Sequence, residues 1–186
     1  MSAALLIVLV AIAIPLIWFI ATYNILVRLK QQTAESWSGI DTELKRRYDL
    51  IPNLVETVKG YAAHERETLE MVVRARNQAA ASSGTPEQQA KDENAFIGSM
   101  KQLFAVAEHY PDLKANENFL ALQRELANTE DRIQASRRFY NANVRDLNTR
   151  ISVVPSNFVA NMYGFKPAEF FEIDDAAVRA PVKVAI

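Results

Sequence analysis

Met1 to Val27 contains no charged side chain, and within it Ala3 to Ala21 is apolar throughout, interrupted only by Pro15. About 20 such residues, rising roughly 1.5 Å each, span the hydrocarbon core of a bilayer. Everything after Arg28 is polar enough to dissolve in water. A chain of this kind is a small domain tied to a membrane. Leu5, Val8, Ile12, Pro15, Trp18 and Tyr23 are the residues expected to carry the tether.

A cleavable leader needs a basic start, a shorter apolar stretch and a small-x-small cleavage site. Met1-Ser2-Ala3-Ala4 has no basic side chain, and Trp18-Phe19-Ile20-Ala21-Thr22-Tyr23 offers bulky groups where small ones are required. Trp18 and Tyr23 suit an aromatic belt at the headgroup level instead. Proline is tolerated in membrane helices, where local adjustments satisfy the backbone again. The segment is therefore read as a retained anchor, over 1–27. Arg28 and Lys30 follow it and no basic residue precedes it, which favours an external N-terminus and a cytoplasmic domain. The chain has no cysteine, so disulfide and thiolate chemistry are excluded while either compartment is allowed.

The chain beyond the anchor is one domain of ordinary size. Five glycines in the whole chain, and frequent Ala, Leu, Glu, Arg and Gln, favour helix. A net charge of −1 with no basic stripe gives no footprint for nucleic acid. Trp37, Ile40, Leu44, Tyr48 and Ile51 recur at helical spacing, so the membrane helix is expected to run on into the domain. Pro52 then either kinks this helix or begins the next. Leu54, Val58, Tyr61, Leu69 and Val72 carry a second stripe to about Ala81. Ser82-Ser83-Gly84-Thr85-Pro86 is a turn; Thr85 and Gln88 have capping-box spacing and Pro86 occupies the first helical position. The helix starting there, with Phe96, Met100, Leu103, Phe104 and Ala107 on its apolar side, should end before Pro111.

The clearest helix runs from Asn116 to Ser152, where Phe119, Leu122, Leu126, Thr129, Ile133, Ser136, Tyr140, Val144, Leu147 and Ile151 follow steps of three and four. A helix of roughly 55 Å needs equally long partners. The expected fold is all-α: a transmembrane helix, then an elongated antiparallel helical bundle of four-helix type over 28–164. Pro155 stops the long helix, Ser156 to Tyr163 forms a short one ending at Gly164, and 165–186 is an irregular tail.

Di-iron sites in helical bundles use Glu-x-x-His on two helices. Here the residues three before His64 and His109 are Tyr61 and Val106. A site from His64-Glu65 and Glu108-His109 survives only if their helices align, and a solvated polar layer is the simpler reading. His64-Glu65 lacks the following proline and the nucleotide-binding domain of a sensor kinase. No nucleophile elbow and no phosphate loop is present. No catalytic residue, cofactor or metal ligand is assigned, and the chain is read as a non-enzyme.

Arg46-Arg47-Tyr48-Asp49, Glu130-Asp131-Arg132 and Arg137-Arg138-Phe139-Tyr140-Asn141 lie beside the apolar stripes. Ion pairing that sets helix register is the preferred reading; a recognition surface for a partner is the alternative. Arg46 and Arg47, about 40 Å along a straight helix from the membrane, lie too far for lipid headgroups. The residues carried forward for interaction are Arg46, Arg47, Arg137, Tyr140, Phe165, Phe170 and Phe171.

Tyr23-Asn24-x-Leu26-Val27, Trp37-x-x-Ile40-Asp41 and Arg46-Arg47-x-Asp49-Leu50-Ile51-Pro52-Asn53-Leu54-Val55 together resemble the LemA family of bacterial membrane proteins. Lys59-Gly60-Tyr61-x-x-His64-Glu65, Glu108-x-Tyr110-Pro111-x-Leu113-Lys114, Arg137-x-x-Tyr140-Asn141, Gly164-Phe165 and Phe170-Phe171 extend the likeness over nearly the whole chain. The resemblance implies one membrane helix, a long antiparallel bundle and a location in the bacterial inner membrane with the bulk of the chain cytoplasmic. Because the family includes proteins of magnetosome membranes, it also hints at membrane organisation. It implies no enzymatic activity.

The sequence supports three functional expectations. The first is a self-associating scaffold whose packed units organise the membrane, with lipid and further copies of itself as partners and the aromatic tail bridging neighbours. The second is an adaptor presenting its bundle to an unidentified membrane protein such as a protease or transporter. The third is a metal enzyme using His64, His109 and nearby glutamates.

Overall fold

The computed structural model describes residues 3–173, except for the side chain of Leu5; that anchor side chain and tail residues 174–186 lie outside the described residues. The chain is all-α: α1 (Ala3–Lys59), α2 (Arg66–Ala81), α3 (Pro86–Ala107), α4 (Pro111–Lys114), α5 (Glu117–Ser152) and α6 (Ser156–Met162). Thr85 caps α3, its side chain accepting from the Gln88 amide at 3.4 Å with Pro86 in the first turn. Asn116 caps α5 by accepting from the Phe119 amide at 3.0 Å. Gly164, at φ 68°, closes α6: the Phe165 amide bonds Ala160 O and the Gly164 amide bonds Asn161 O. That pair of bonds is the Schellman arrangement, and its left-handed residue is why glycine stands there.

Neither Pro15 nor Pro52 breaks α1, so Pro52 does not begin the next helix. Proline lacks an N–H and crowds the carbonyl four residues back. For Pro52 that carbonyl is Tyr48's, and it finds another donor, Arg76 Nε of α2, at 3.2 Å. The interruption comes instead at 60–65, inside the stripe expected to continue to Ala81. Gly60 opens this loop, and Tyr61, expected among the stripe, is exposed. We expect Arg76→Met to cost about 1 kcal/mol, and to cost less beside Pro52→Ala, where a restored amide takes the carbonyl. Thermal melts of the four chains in mild detergent, followed by helical circular dichroism, test this coupling; equal costs in both backgrounds would disprove it.

The chain forms two compact units, which among the described residues comprise 3–40 with 136–169, and 41–135 with 170–173. In the first, α1 and α5 run antiparallel. Trp37 meets Tyr140 edge-on at 5.2 Å, Asn143 Nδ2 donates to Gln32 O at 3.4 Å, and Leu26 packs with Leu147 and Ile151. In the second, Leu44, Ile51, Leu54 and Val58 of α1 are buried in a core that also takes in Leu69, Val72, Phe96, Leu103, Leu113, Phe119 and Ile133.

Candidate functional site

Two places carry features beyond ordinary core packing, one in each unit. In the first unit, α1 begins as a bare apolar helix. Val8, Ile12, Pro15 and Trp18 are exposed, with Ile12 at 63 %, and so are Leu6, Ile7, Leu9, Val10, Ile14, Leu16, Ile17 and Ile20. Isolated exposed hydrophobes are normal in water, but a continuous surface of this extent is not. The helix is long and apolar enough to cross a membrane.

Burial begins one turn later. Thr22 and Leu26 are buried, and Tyr23 is half-buried against Tyr163 (4.6 Å between ring centroids) and Phe165 (6.0 Å). Phe19 lies 5.9 Å from Tyr163. Val159 and Ala160 of α6 complete the cluster around Leu26. The tail crosses α5 through its backbone. Asn148 exchanges two hydrogen bonds with Ala168, at 2.9 and 2.8 Å, and Tyr140 donates to Glu169 O at 2.8 Å. Burial, with a contribution from the Glu169 carboxylate, pushes the Tyr140 hydroxyl up to about 12.

The second unit has charge at its centre. Arg47 is buried on α1, pairing with buried Glu93 of α3 and with Glu130 of α5 at 2.7 Å, while its guanidinium carbon stands 5.2 Å over the Phe96 ring. Tyr48 donates to the other oxygen of Glu93 and meets Phe96 edge-on at 5.9 Å. With the bond from Arg76 to Tyr48 O, side chains of α2, α3 and α5 all meet α1 at this one turn. Burial pushes Glu93 above the usual carboxylate range, and Arg47 and Tyr48 act against that shift. Burial, then Glu93, pushes the Tyr48 hydroxyl well above its ordinary value.

The residues singled out from sequence therefore separate. Arg47, Tyr140 and Phe171 are buried, and Phe171 has no exposed surface. Arg46 is exposed, 3.7 Å from Glu43; Arg137 and Phe165 are half-buried; Phe170 is exposed. Within its own chain, Phe165 packs against the core around Leu26 and Phe171 is buried. His64 and His109 are exposed, and no group of three or more metal-ligating side chains occurs among the described residues.

Glu93 is absent from the residues singled out by sequence, although a signal for it was there. It lies on the apolar stripe Ala90, Phe96, Met100, Leu103, just as Arg47 stands in the run Ile40, Leu44, Ile51, Leu54. Opposite charges at two core positions mark a buried pair.

Known proteins resemble this chain along most of its length. Magnetosome protein MamQ 2 of Paramagnetospirillum magneticum is 28% identical over 183 residues, covering 83% of this chain and 67% of the relative. Magnetosome protein MamQ of Magnetospirillum gryphiswaldense is 25% identical over 187 residues, covering 85% and 69%. Protein LemA of Metamycoplasma hominis is 26% identical over 165 residues, covering 84% and 74%. The LemA family model matches residues 36–186, which include both the buried charge cluster and the α5–α6 region. With more than half its length matched by that model, this membrane-associated helical chain belongs to the LemA family.

Proposed function

We propose that the protein is a membrane-anchored helical scaffold that self-associates and organises the membrane holding it, without a catalytic step. One observation carries the anchoring on which this reading rests: the bare apolar stretch and the packed core around Leu26 belong to one unbroken helix, α1. A helix continuous in this way supports a retained anchor, since a cut before Tyr23 would remove the ring contact between Phe19 and Tyr163. Exposed Arg28 and Lys30 immediately after the span support a cytoplasmic location for the bulk of the chain at the inner membrane, with the N-terminus outside. Two of the relatives are magnetosome proteins by name, which supports a part in organising membrane.

An open groove of about 720 Å³ lined by Val55, Leu69 and Val73, and rimmed by Lys59, Arg66, Glu70 and Arg74, favours the second reading, an adaptor receiving another membrane protein. The molar mass of the intact chain in mild detergent, by light scattering, separates the two. The scaffold predicts a uniform homo-oligomer. A monomer would overturn it, and a monomer extracted with a stoichiometric second protein would establish the adaptor.

A further inference from the structure

The α5–α6 corner and α6 carry a second apolar surface, separate from the span. Val153, Val154, Phe158, Met162 and Tyr163 are exposed, with Val154 at 73 %, Phe158 at 65 % and Met162 at 69 %. Phe158 and Met162 are one helical step of four apart, so they share a face. The opposite face is also apolar, with Val159 and Ala160 buried against Leu26, Leu147 and Ile151. The exposed face also carries Asn161, so it joins large apolar side chains to a polar one, a mixture suited to the boundary between lipid and water. Residues 151–165 carry no charge, whereas Arg150 and Lys166 flank them, one basic residue on each side.

The position of this surface identifies what covers it. Tyr163 touches both Phe19 and Tyr23, the residues at which α1 passes from bare to packed. Ala3 to Thr22 is about 30 Å of helix, one hydrocarbon thickness. If that stretch fills the core, Phe19 and Tyr23 lie at the boundary with the headgroups, where aromatic rings are favoured. Tyr163 shares their level, and α6 leads directly into it.

We propose that α6 and the corner before it form a second membrane contact, with Val153, Val154, Phe158, Met162 and Tyr163 embedded in the interface of the leaflet from which α1 emerges. The apolar side chains enter the boundary between headgroups and acyl chains, and exposed Lys166 faces anionic headgroups, while Arg150 is half-buried. A single span leaves its domain free to rotate and tilt, and a second point of insertion fixes both. The proposal rests on α1 crossing the bilayer and is independent of self-association.

The chain has no cysteine, so a single introduced one takes a unique label. Full-length M162C, I12C and R145C chains, each carrying a nitroxide, are reconstituted into phosphatidylcholine–phosphatidylglycerol vesicles. The relaxation of each label by oxygen, which concentrates in lipid, is compared with relaxation by a water-soluble nickel chelate. The label at 162 should favour oxygen over the chelate several-fold more than the label at 145, and less than the label at 12. A label at 162 as open to the chelate as that at 145, with 12 deep in lipid, overturns the second contact and leaves the anchor standing. Aqueous labels at both 12 and 162 overturn the anchor with it. A label at 162 shielded from both reagents also overturns the proposal, because a second copy then covers the patch.

Discussion

Arg47→Met is expected to destabilise its unit by about 3–5 kcal/mol at neutral pH, the usual cost of removing one partner from a buried ion pair. The loss is not the energy of two ion pairs. Arg47 is buried, and most of the attraction it gains from Glu93 and Glu130 repays its own desolvation. The penalty comes from what is left behind: Glu93, also buried, with Tyr48 as its remaining partner. Its proton affinity is already raised by burial, and Arg47 is the strongest influence holding it down.

The direction of the Glu93 shift sets the pH dependence. A carboxyl whose folded pKa is raised favours the native state fully below its unfolded value, and that contribution is lost as pH rises through the folded one. Removing Arg47 raises the folded value further and extends this window upward. The deficit of the variant should therefore be smaller at pH 5 than at pH 8. Melts of the intact chain in detergent at the two pH values test this, and a deficit independent of pH would mean that Glu93 is not the source. Adding Glu93→Leu to Arg47→Met should recover part of the loss, since an apolar replacement leaves no uncompensated charge on α3.

Phe171→Ala is expected to cost about 3–5 kcal/mol, the range for emptying a buried aromatic site. Phe170→Ala, at a partly exposed neighbour, should cost about 1 kcal/mol or less. The two substitutions remove the same atoms one residue apart, so the contrast isolates burial from composition. The Phe171 variant should also loosen residues 165–173, which limited proteolysis with a nonspecific protease detects as earlier cleavage within that stretch. Equal melting temperatures for the two variants would show that Phe171 holds nothing in place.

Much of this protein is legible because its signals are local. Thr85-Pro86 states a helix start through the cap it offers, Gly164 states a stop through the backbone region it alone visits freely, and the spacing from Phe119 to Ile151 states one long helix. Periodicity also places Ile40, Leu44, Ile51 and Leu54 in the core. What periodicity does not report is which groups meet across helices. The stripe containing Tyr61 points on to Ala81, but a loop interrupts it at 60–65. Pro52 is ambiguous in sequence because its tolerance depends on Arg76, a donor on the next helix. Phe165 and Phe171 have no destination visible in sequence, because they are covered by residues that only the fold brings near.

The sequence by itself determined the apolar span, the all-α composition, the principal helix boundaries and the family. Each rests on hydrophobicity, spacing or a cap, which act over a turn or two of chain. Tertiary structure alone decided that Arg47 pairs with Glu93 inside the fold, that Phe171 is core, and that α6 lies beside Phe19 and Tyr23 with apolar side chains still exposed. Those outcomes depend on desolvation and on contacts between residues far apart in sequence. Burial can turn a surface charge into a structural pair, and proximity to a span can turn an irregular corner into a membrane contact.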